Sequence, residues 1–285
     1  MKLSAFFFLF ILTLCSYGQN FLSWQFSDRY FSVSAGTGTA SYFGELNYNG
    51  KINNKFSLAT VGLEARLLSH VGARIEGHWM KISGDDKNAP SGTFEKQRNL
   101  SFASNNFQMQ LTGIYYIKPY KGDYHKRWIF DPYIVAGIGY LYYNPTTELG
   151  GERLPLRDAL TEGISYNKWV FTIPFGAGAK FRVNEFLNVN LEVLYHITFT
   201  DYLDDVSNSY ATEFPNSTSE LLSDRKEEIG VISPEFYDQI QPGSRRGNPS
   251  NKDRFLLISL KAEIFLPPDL FSRKNQPILK KPSAY

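Results

Sequence analysis

The chain of 285 residues holds a single cysteine, Cys15, inside its opening apolar segment. Everything after it is free of thiols, which excludes disulfides, zinc–thiolate centres and a cysteine nucleophile. Long hydrophobic runs are missing after residue 14: mean hydropathy is −0.30, and no later stretch approaches the ~20 apolar residues of a spanning helix. An excess of either charge is also missing. Thirty Lys and Arg face 28 Asp and Glu, a net +2, which implies neither a nucleic-acid footprint nor an acidic tail. The sequence has no Gly-x-Ser-x-Gly elbow, no His-Glu-x-x-His and no phosphate-cradling glycine loop. No enzymatic activity, cofactor or nucleic-acid partner is therefore expected.

The first residues read as a secretory signal peptide. Lys2 supplies a positive start, residues 3–14 an apolar run, and Ser16, Tyr17 and Gly18 a small-residue approach to Gln19. This pattern predicts cleavage after Gly18. Lipidation of Cys15 is a competing reading, but Leu14 is not the small residue such sites favour. Retention as an uncleaved anchor is opposed by the run's short length. The expected organisation is a signal peptide over 1–18, one domain over 19–266, and a tail over 267–285. The tail carries Pro268, Pro277 and Pro282 with Arg273, Lys274, Lys280 and Lys281, and reads as an extended basic segment.

Between these ends, apolar and polar residues alternate with period two, the signature of a strand with unlike faces. Over 187–200, Leu187, Val189, Leu191, Val193, Tyr195, Ile197 and Phe199 oppose Asn188, Asn190, Glu192, His196 and Thr198. The same alternation marks 57–67, 71–80, 107–117, 169–183 and 255–266; 30–38 and 129–143 are strand-like but ambiguous in phase. Eight strands result. Short connections near 68–70 and 184–186, and a moderate one over 118–126, alternate with long polar ones over 40–55, 84–98, 144–167 and 201–252. Short turns on one rim and long loops on the other are expected of a transmembrane barrel, as is an aromatic content of 16%. The predicted fold is therefore all-β: an eight-stranded antiparallel barrel in outer-membrane lipid, with long extracellular loops, short periplasmic turns and both ends in the periplasm. Gly137, Gly139, Gly176 and Gly178 mark places where its wall bends or admits lumen side chains.

The strand phases send Glu64, Arg66, Arg74, Glu76, Lys180, Arg182, Glu192, Lys261 and Glu263 inward. Eight strands leave room for little beyond their own side chains. These charges are expected to pair into a structural plug rather than to line a conducting pore. His78 and His196 also face inward, without a third ligand at a recognisable spacing. Gly84-Asp85-Asp86 and the run Asp201, Tyr202, Leu203, Asp204, Asp205 lie where strands meet outer loops. Clustered carboxylates can hold calcium, but neither run has EF-hand spacing, and aspartate is an ordinary turn residue. Turn chemistry is expected and no metal site.

Several of these loop-base segments occur together in an ordered series. Ser41-Tyr42-Phe43-Gly44-Glu45-Leu46-Asn47 comes first, then Gly84-Asp85-Asp86 with Arg98-Asn99-Leu100-Ser101-Phe102. Pro132-Tyr133 to Gly139-Tyr140, Ile173-Pro174-Phe175-Gly176-Ala177-Gly178 and Thr200-Asp201-Tyr202-Leu203-Asp204-Asp205-Val206-Ser207 follow. In this combination, across about 28–266, the chain resembles the PorG-like outer-membrane barrels associated with the type IX secretion system. The resemblance implies a non-enzymatic barrel contacting the lipoproteins of a periplasmic secretion ring. The long fourth loop and the basic tail depart from the family pattern. Two other roles fit the same residues: a surface-binding barrel acting through its loops, and a small channel.

Overall fold

The computed structural model describes residues 30–266, apart from 51, 53–54, 120–126 and 231–232. The signal-peptide and tail assignments lie outside the described residues. Ten strands form one sheet: β1 (Tyr30–Phe43), β2 (Leu58–Arg66), β3 (Val71–Asp85), β4 (Ser101–Tyr116), β5 (Phe130–Tyr142), β6 (Pro145–Leu149), β7 (Glu152–Pro155), β8 (Trp169–Arg182), β9 (Leu187–Thr198) and β10 (Arg254–Leu266). Eight of them close a barrel in the order β1-β2-β3-β4-β5-β8-β9-β10, every pair antiparallel. The seam joins the first and last strands over a continuous register from Phe31↔Leu266 to Phe43↔Arg254. Closure leaves no unpaired edge, which hydrocarbon would not tolerate.

The eight-strand reading holds for the barrel and is incomplete for the sheet. The third loop contains a further hairpin, β6–β7, attached to the upper end of β4 through Ala103↔Thr146 and Ser104↔Pro145. Gly150 and Gly151 form its turn with φ of 60° and 86°. Two successive residues at positive φ make the turn whose twist suits a two-residue hairpin. The Gly-Gly signal was present in the sequence, but the arms are too short to show alternation.

Strands β1, β3 and β4 also run past their expected upper limits of 38, 80 and 107, to Phe43, Asp85 and Ser101. The reason is an inversion of polarity. Within the membrane the outward side chains are apolar, among them Val61, Ile75, Leu111, Leu191 and Leu260, each about half exposed. Two aromatic belts bound this band. Trp79, Phe107, Tyr140, Trp169 and Phe171 form the loop-side belt, and Tyr115, Trp128, Phe130, Phe181 and Phe186 the turn-side belt. Aromatic girdles mark the two interfaces of such barrels. Above the loop-side belt the outward positions become Lys81, Ser83 and Asn105, while Tyr42, Met80, Ile82, Phe102, Leu141 and Phe255 turn inward and are buried. The alternation continues with its sign reversed, so a search for outward apolar residues stops too early.

These inward residues join Leu46, Leu100, Leu156, Leu203, Val206 and Leu222 in one hydrophobic cluster. The long loops therefore pack as a cap over the barrel mouth. The fourth loop contributes short helices at Ser217–Ser223 and Pro234–Tyr237 with a 3-10 turn at Lys226–Ile229. If the outward face meets lipid, Leu260→Arg at the middle of β10 costs ~2–4 kcal/mol. Guanidinium titration of the barrel refolded into phospholipid vesicles reads this as a lowered midpoint. An unchanged midpoint would place that face away from hydrocarbon.

Candidate functional site

The lumen is the first place where the fold brings chemistry together. Glu64, Arg66, Arg74, Glu76, Lys180, Glu192, Lys261 and Glu263 all point inward, each at most 5% exposed. Lys261 Nζ sits between Glu76 Oε1 at 2.5 Å and Glu192 Oε1 at 2.6 Å. Arg74 reaches Glu192 Oε2 at 2.6 Å and Glu76 Oε2 at 3.3 Å. Lys180 bridges Glu64 Oε1 at 2.5 Å and Glu263 Oε1 at 2.7 Å. Arg66 pairs with Asp131 at 2.9 Å and donates to the backbone carbonyl of Ser69 at 2.7 Å, so it secures the turn-side end of the lumen. Arg182 shares the inward phase but ends β8 half-buried, two residues beyond Lys180.

Neutral donors complete the carboxylates. Tyr133 Oη donates to Glu192 at 2.7 Å, Ser32 Oγ to Glu263 at 2.6 Å, and Thr60 Oγ1 to Glu76 at 3.0 Å; Tyr116 donates to Glu64. Asn188 and Asn190 both donate to Glu263 Oε2 at 3.1 Å. Asp131, Ser32 and Tyr133 escaped the sequence reading because β1 and β5 were ambiguous in phase. The inward glycines fit the same picture: a Cβ at Gly178 would lie 2.5 Å from the Tyr133 ring. Buried charge is tolerated only when paired and hydrogen-bonded, and Glu64, Glu76, Glu192 and Glu263 each have both a cation and a neutral donor. His78 and His196 meet edge to face with ring centroids 6.4 Å apart. Among the described residues, three or more metal-ligating side chains converge elsewhere, at Glu45, Asp201 and Asp253.

The loop bases form a second polar layer, above the membrane band. Four carboxylates meet there: Glu45 after β1, Asp201 and Asp204 after β9, and Asp253 before β10. The Tyr42 hydroxyl lies between two carboxylates, 2.5 Å from Asp204 Oδ2 and 3.0 Å from Asp253 Oδ1, and donates its one proton to the nearer, Asp204. Asp204 Oδ1 accepts from the Val206 amide at 2.9 Å, and Asp253 Oδ2 from the Leu203 amide at 2.8 Å. A Cβ at Gly44 would overlap the Tyr42 hydroxyl and the Asp253 carboxylate, which accounts for glycine between Tyr42 and Glu45. Asp205 follows in the left-handed region, φ 69°, accepting from Tyr166 Oη at 2.7 Å and from Thr161. Tyr202 stacks on Tyr166 at 4.6 Å.

Arginines tie the loops to one another. Arg98 grips Asp86 with two bonds of 2.8 and 2.9 Å and donates to the Arg246 carbonyl at 2.7 Å. Arg246 in turn pairs with Glu162 at 3.1 Å. Arg225 donates to Thr147 at 2.8 Å and to the Glu148 carbonyl at 3.0 Å, while its own carbonyl accepts from Asn99 at 3.0 Å. Asp85 accepts from the Lys87 amide at 2.8 Å, the expected turn chemistry; its neighbour Asp86 is instead a buried ion-pair partner. Glu45 was read only as part of a loop-base segment, and Asp253 was not singled out in the sequence. The available signal was position: each carboxylate flanks a barrel strand at the loop side.

Burial shifts the protonation of this layer. It pushes Glu45 up to about 7, aided by the charge of Asp201, and Asp201 up to about 6. Asp205 rises to about 6 because burial outweighs Arg246. Asp204 and Asp253 lie well above the usual carboxylate range, through burial and then neighbouring negative charge.

A closed eight-stranded barrel with an apolar outer band, two aromatic belts and a charge-paired lumen defines a small integral outer-membrane protein. The chain belongs to the outer membrane protein beta-barrel domain family, matched over residues 6–214. Among solved structures it is similar to Ail, the attachment invasion locus protein of Yersinia pestis, at 9% identity over 84% of this chain and 99% of that one, TM-score 0.40. A major outer membrane protein from Thermus thermophilus is 14% identical over 84% and 99% of the two chains, TM-score 0.41. The outer membrane protein OprG from Pseudomonas aeruginosa is 12% identical over 84% and 96%, TM-score 0.38. No curated protein matches the chain.

Two outcomes are expected. Lys261→Met leaves Glu76 and Glu192 without their shared cation and lowers stability by ~3–5 kcal/mol, measured by denaturant titration; adding Glu76→Gln recovers part of the loss. In chelator, the cap loosens as pH rises. A carboxyl with a raised folded pKa keeps a proton that the unfolded chain releases near ~4, so its contribution is present at low pH and lost between about 4 and 7. Limited proteolysis of the 201–252 loop should run faster at pH 8 than at pH 5. The reverse order would contradict the shifts of Glu45, Asp201 and Asp205.

Proposed function

We propose that this protein is a non-enzymatic mount in the outer membrane, working through its rims rather than through its interior. The observation that carries the reading is the lumen, where Lys261, Arg74 and Lys180 are locked between Glu64, Glu76, Glu192 and Glu263. Side chains that fill and neutralise an eight-stranded barrel leave no continuous aqueous path. The short turns and both described ends, Tyr30 and Leu266, gather on the periplasmic rim. On the resemblance of its loop-base segments to the PorG-like barrels, the protein is a structural component of a type IX secretion machine, and the periplasmic rim docks the ring lipoproteins.

The segments that carry the resemblance meet one another in the fold. Tyr42 and Glu45 from the first, Asp86 and Arg98 from the second, and Asp201 to Ser207 from the last share one hydrogen-bonded layer. A second reading, surface binding through the loops, is favoured by one feature: a cleft of about 680 Å³ in the cap, lined by Arg98, Arg245, Arg246 and Asn248.

Photo-crosslinking in intact cells separates the two. Probes at Leu68 and Glu185, in the short turns, should capture periplasmic lipoproteins, and a probe at Leu221 on the cap should not. Capture of general envelope proteins alone would remove the secretion role, and capture only at Leu221 would favour the surface-binding reading. Planar-bilayer recording is expected to show no discrete conductance; well-defined steps would overturn the plugged lumen.

A further inference from the structure

The carboxyl groups of the layer at the loop base outnumber the cations that pair with them. Among the described residues no Lys or Arg lies within ion-pair distance of Glu45, Asp201, Asp204 or Asp253, although Asp86, Asp205 and Glu162 nearby each have an arginine. The nearest cations act only from beyond ion-pair distance. Arg98, which acts on Glu45 and Asp204, is held by Asp86, and Lys252, which acts on Asp201, donates to the Pro249 carbonyl.

Two oxygens of the layer lack a donor. Asp201 is 2% exposed; its Oδ2 accepts from Ser207 Oγ at 2.8 Å, while its Oδ1 is buried without a hydrogen-bond partner. Glu45 Oε2 is in the same condition. A buried carboxylate oxygen without a donor is costly, and a second carboxylate nearby makes it more so. Yet one oxygen each from Glu45, Asp201 and Asp253 lies within 4.8 Å of the others. That spread corresponds to two calcium–oxygen bonds of about 2.4 Å laid end to end.

We propose that Glu45, Asp201 and Asp253 bind one divalent cation, calcium in preference to magnesium, at the base of the extracellular cap. Hard carboxylate oxygens suit both ions, but calcium accepts wider and less regular oxygen cages, whereas magnesium demands a tight octahedron. Asp204, on the other side of the Tyr42 hydroxyl from Asp253, adds negative charge beside the cage. Glu45 also lines the cap cleft, which opens on its side of the cage. The three ligands flank β1, β9 and β10, which are neighbours across the barrel seam. A cation there fastens the loops on both sides of the junction between the first and last strands. This departs from the expectation of no metal site, which was drawn from spacing within single runs. The ligands lie too far apart in the chain for such spacing to reveal them.

The test uses the full-length protein refolded in detergent free of lipopolysaccharide and stripped with chelator at pH 7.5. Calcium titration by calorimetry should give one site per chain, with dissociation in the ~10⁻⁴–10⁻³ M range of extracellular modules. Terbium, a calcium surrogate, should show luminescence sensitised by the adjacent Tyr42, quenched by added calcium. Glu45→Gln and Asp201→Asn should each weaken binding on the order of 10-fold or more, while Asp158→Asn on the cap surface should leave it intact. Heat-modifiable migration in gels confirms that each variant folds. Absence of saturable calcium binding by the folded wild type overturns the proposal. So does binding that the Glu45 and Asp201 variants leave unchanged, or a chelated protein that those variants stabilise while calcium has no effect, which would indicate proton sharing between carboxyls.

Discussion

Lipid on the outside of the wall governs the arrangement of everything within it. Hydrocarbon admits only apolar side chains and satisfied backbone, so within the membrane band the charged residues of the strands must turn into a lumen eight strands wide. There the charges cannot remain single. Lys261 held between Glu76 and Glu192, with Arg74 closing the other side of both carboxylates, is the centre of the solution. The small residues Ser32, Ser34 and Gly36 on the facing part of β1 leave room for it. The same charges that make the interior stable also close it as a path, and functional contact passes to the two rims.

Above the membrane the constraint reverses. Water outside and packed loops inside give the protruding strands the polarity of an ordinary soluble sheet. Met80, Ile82, Phe102 and Phe255 now face inward against Leu203 and Val206 of the fourth loop. This apolar cap core fixes the loops closely enough for buried ion pairs such as Arg98–Asp86 and Arg246–Glu162 to form between them. It also brings Glu45, Asp201, Asp204 and Asp253 into one layer at the loop bases, separated from the lumen charges by Ala40, Tyr42, Phe255 and Leu257 of the apolar cluster. The protein therefore has two buried charge systems of different character, a neutralised one in the membrane and one at its outer edge whose carboxyls outnumber their cations.

How far each feature could be read in advance follows from the range of the interactions behind it. Strict alternation in β8, β9 and β10 named both faces because each strand sees lipid on one side and lumen on the other. In β1 and β5, glycine, serine and alanine occupy both faces, and phase became visible only through pairing with β10 and β8. The upward extensions of β1, β3 and β4 were missed because the sign of the alternation inverts at the aromatic belt. The hairpin β6–β7 was missed because its arms, five and four residues long, are too short for a period to register.

Local sequence determined the barrel class, its strand number within the membrane, the inward direction of the charged residues and the division between long loops and short turns. Each of these depends on a pattern repeated every two residues or on the length of a connection. Tertiary structure alone decided which charges pair, that the loops fold into a cap, and that Glu45, Asp201 and Asp253 converge. Those outcomes depend on barrel closure. The seam between β1 and β10 brings together residues more than 200 positions apart, and no periodicity within a single strand encodes that meeting.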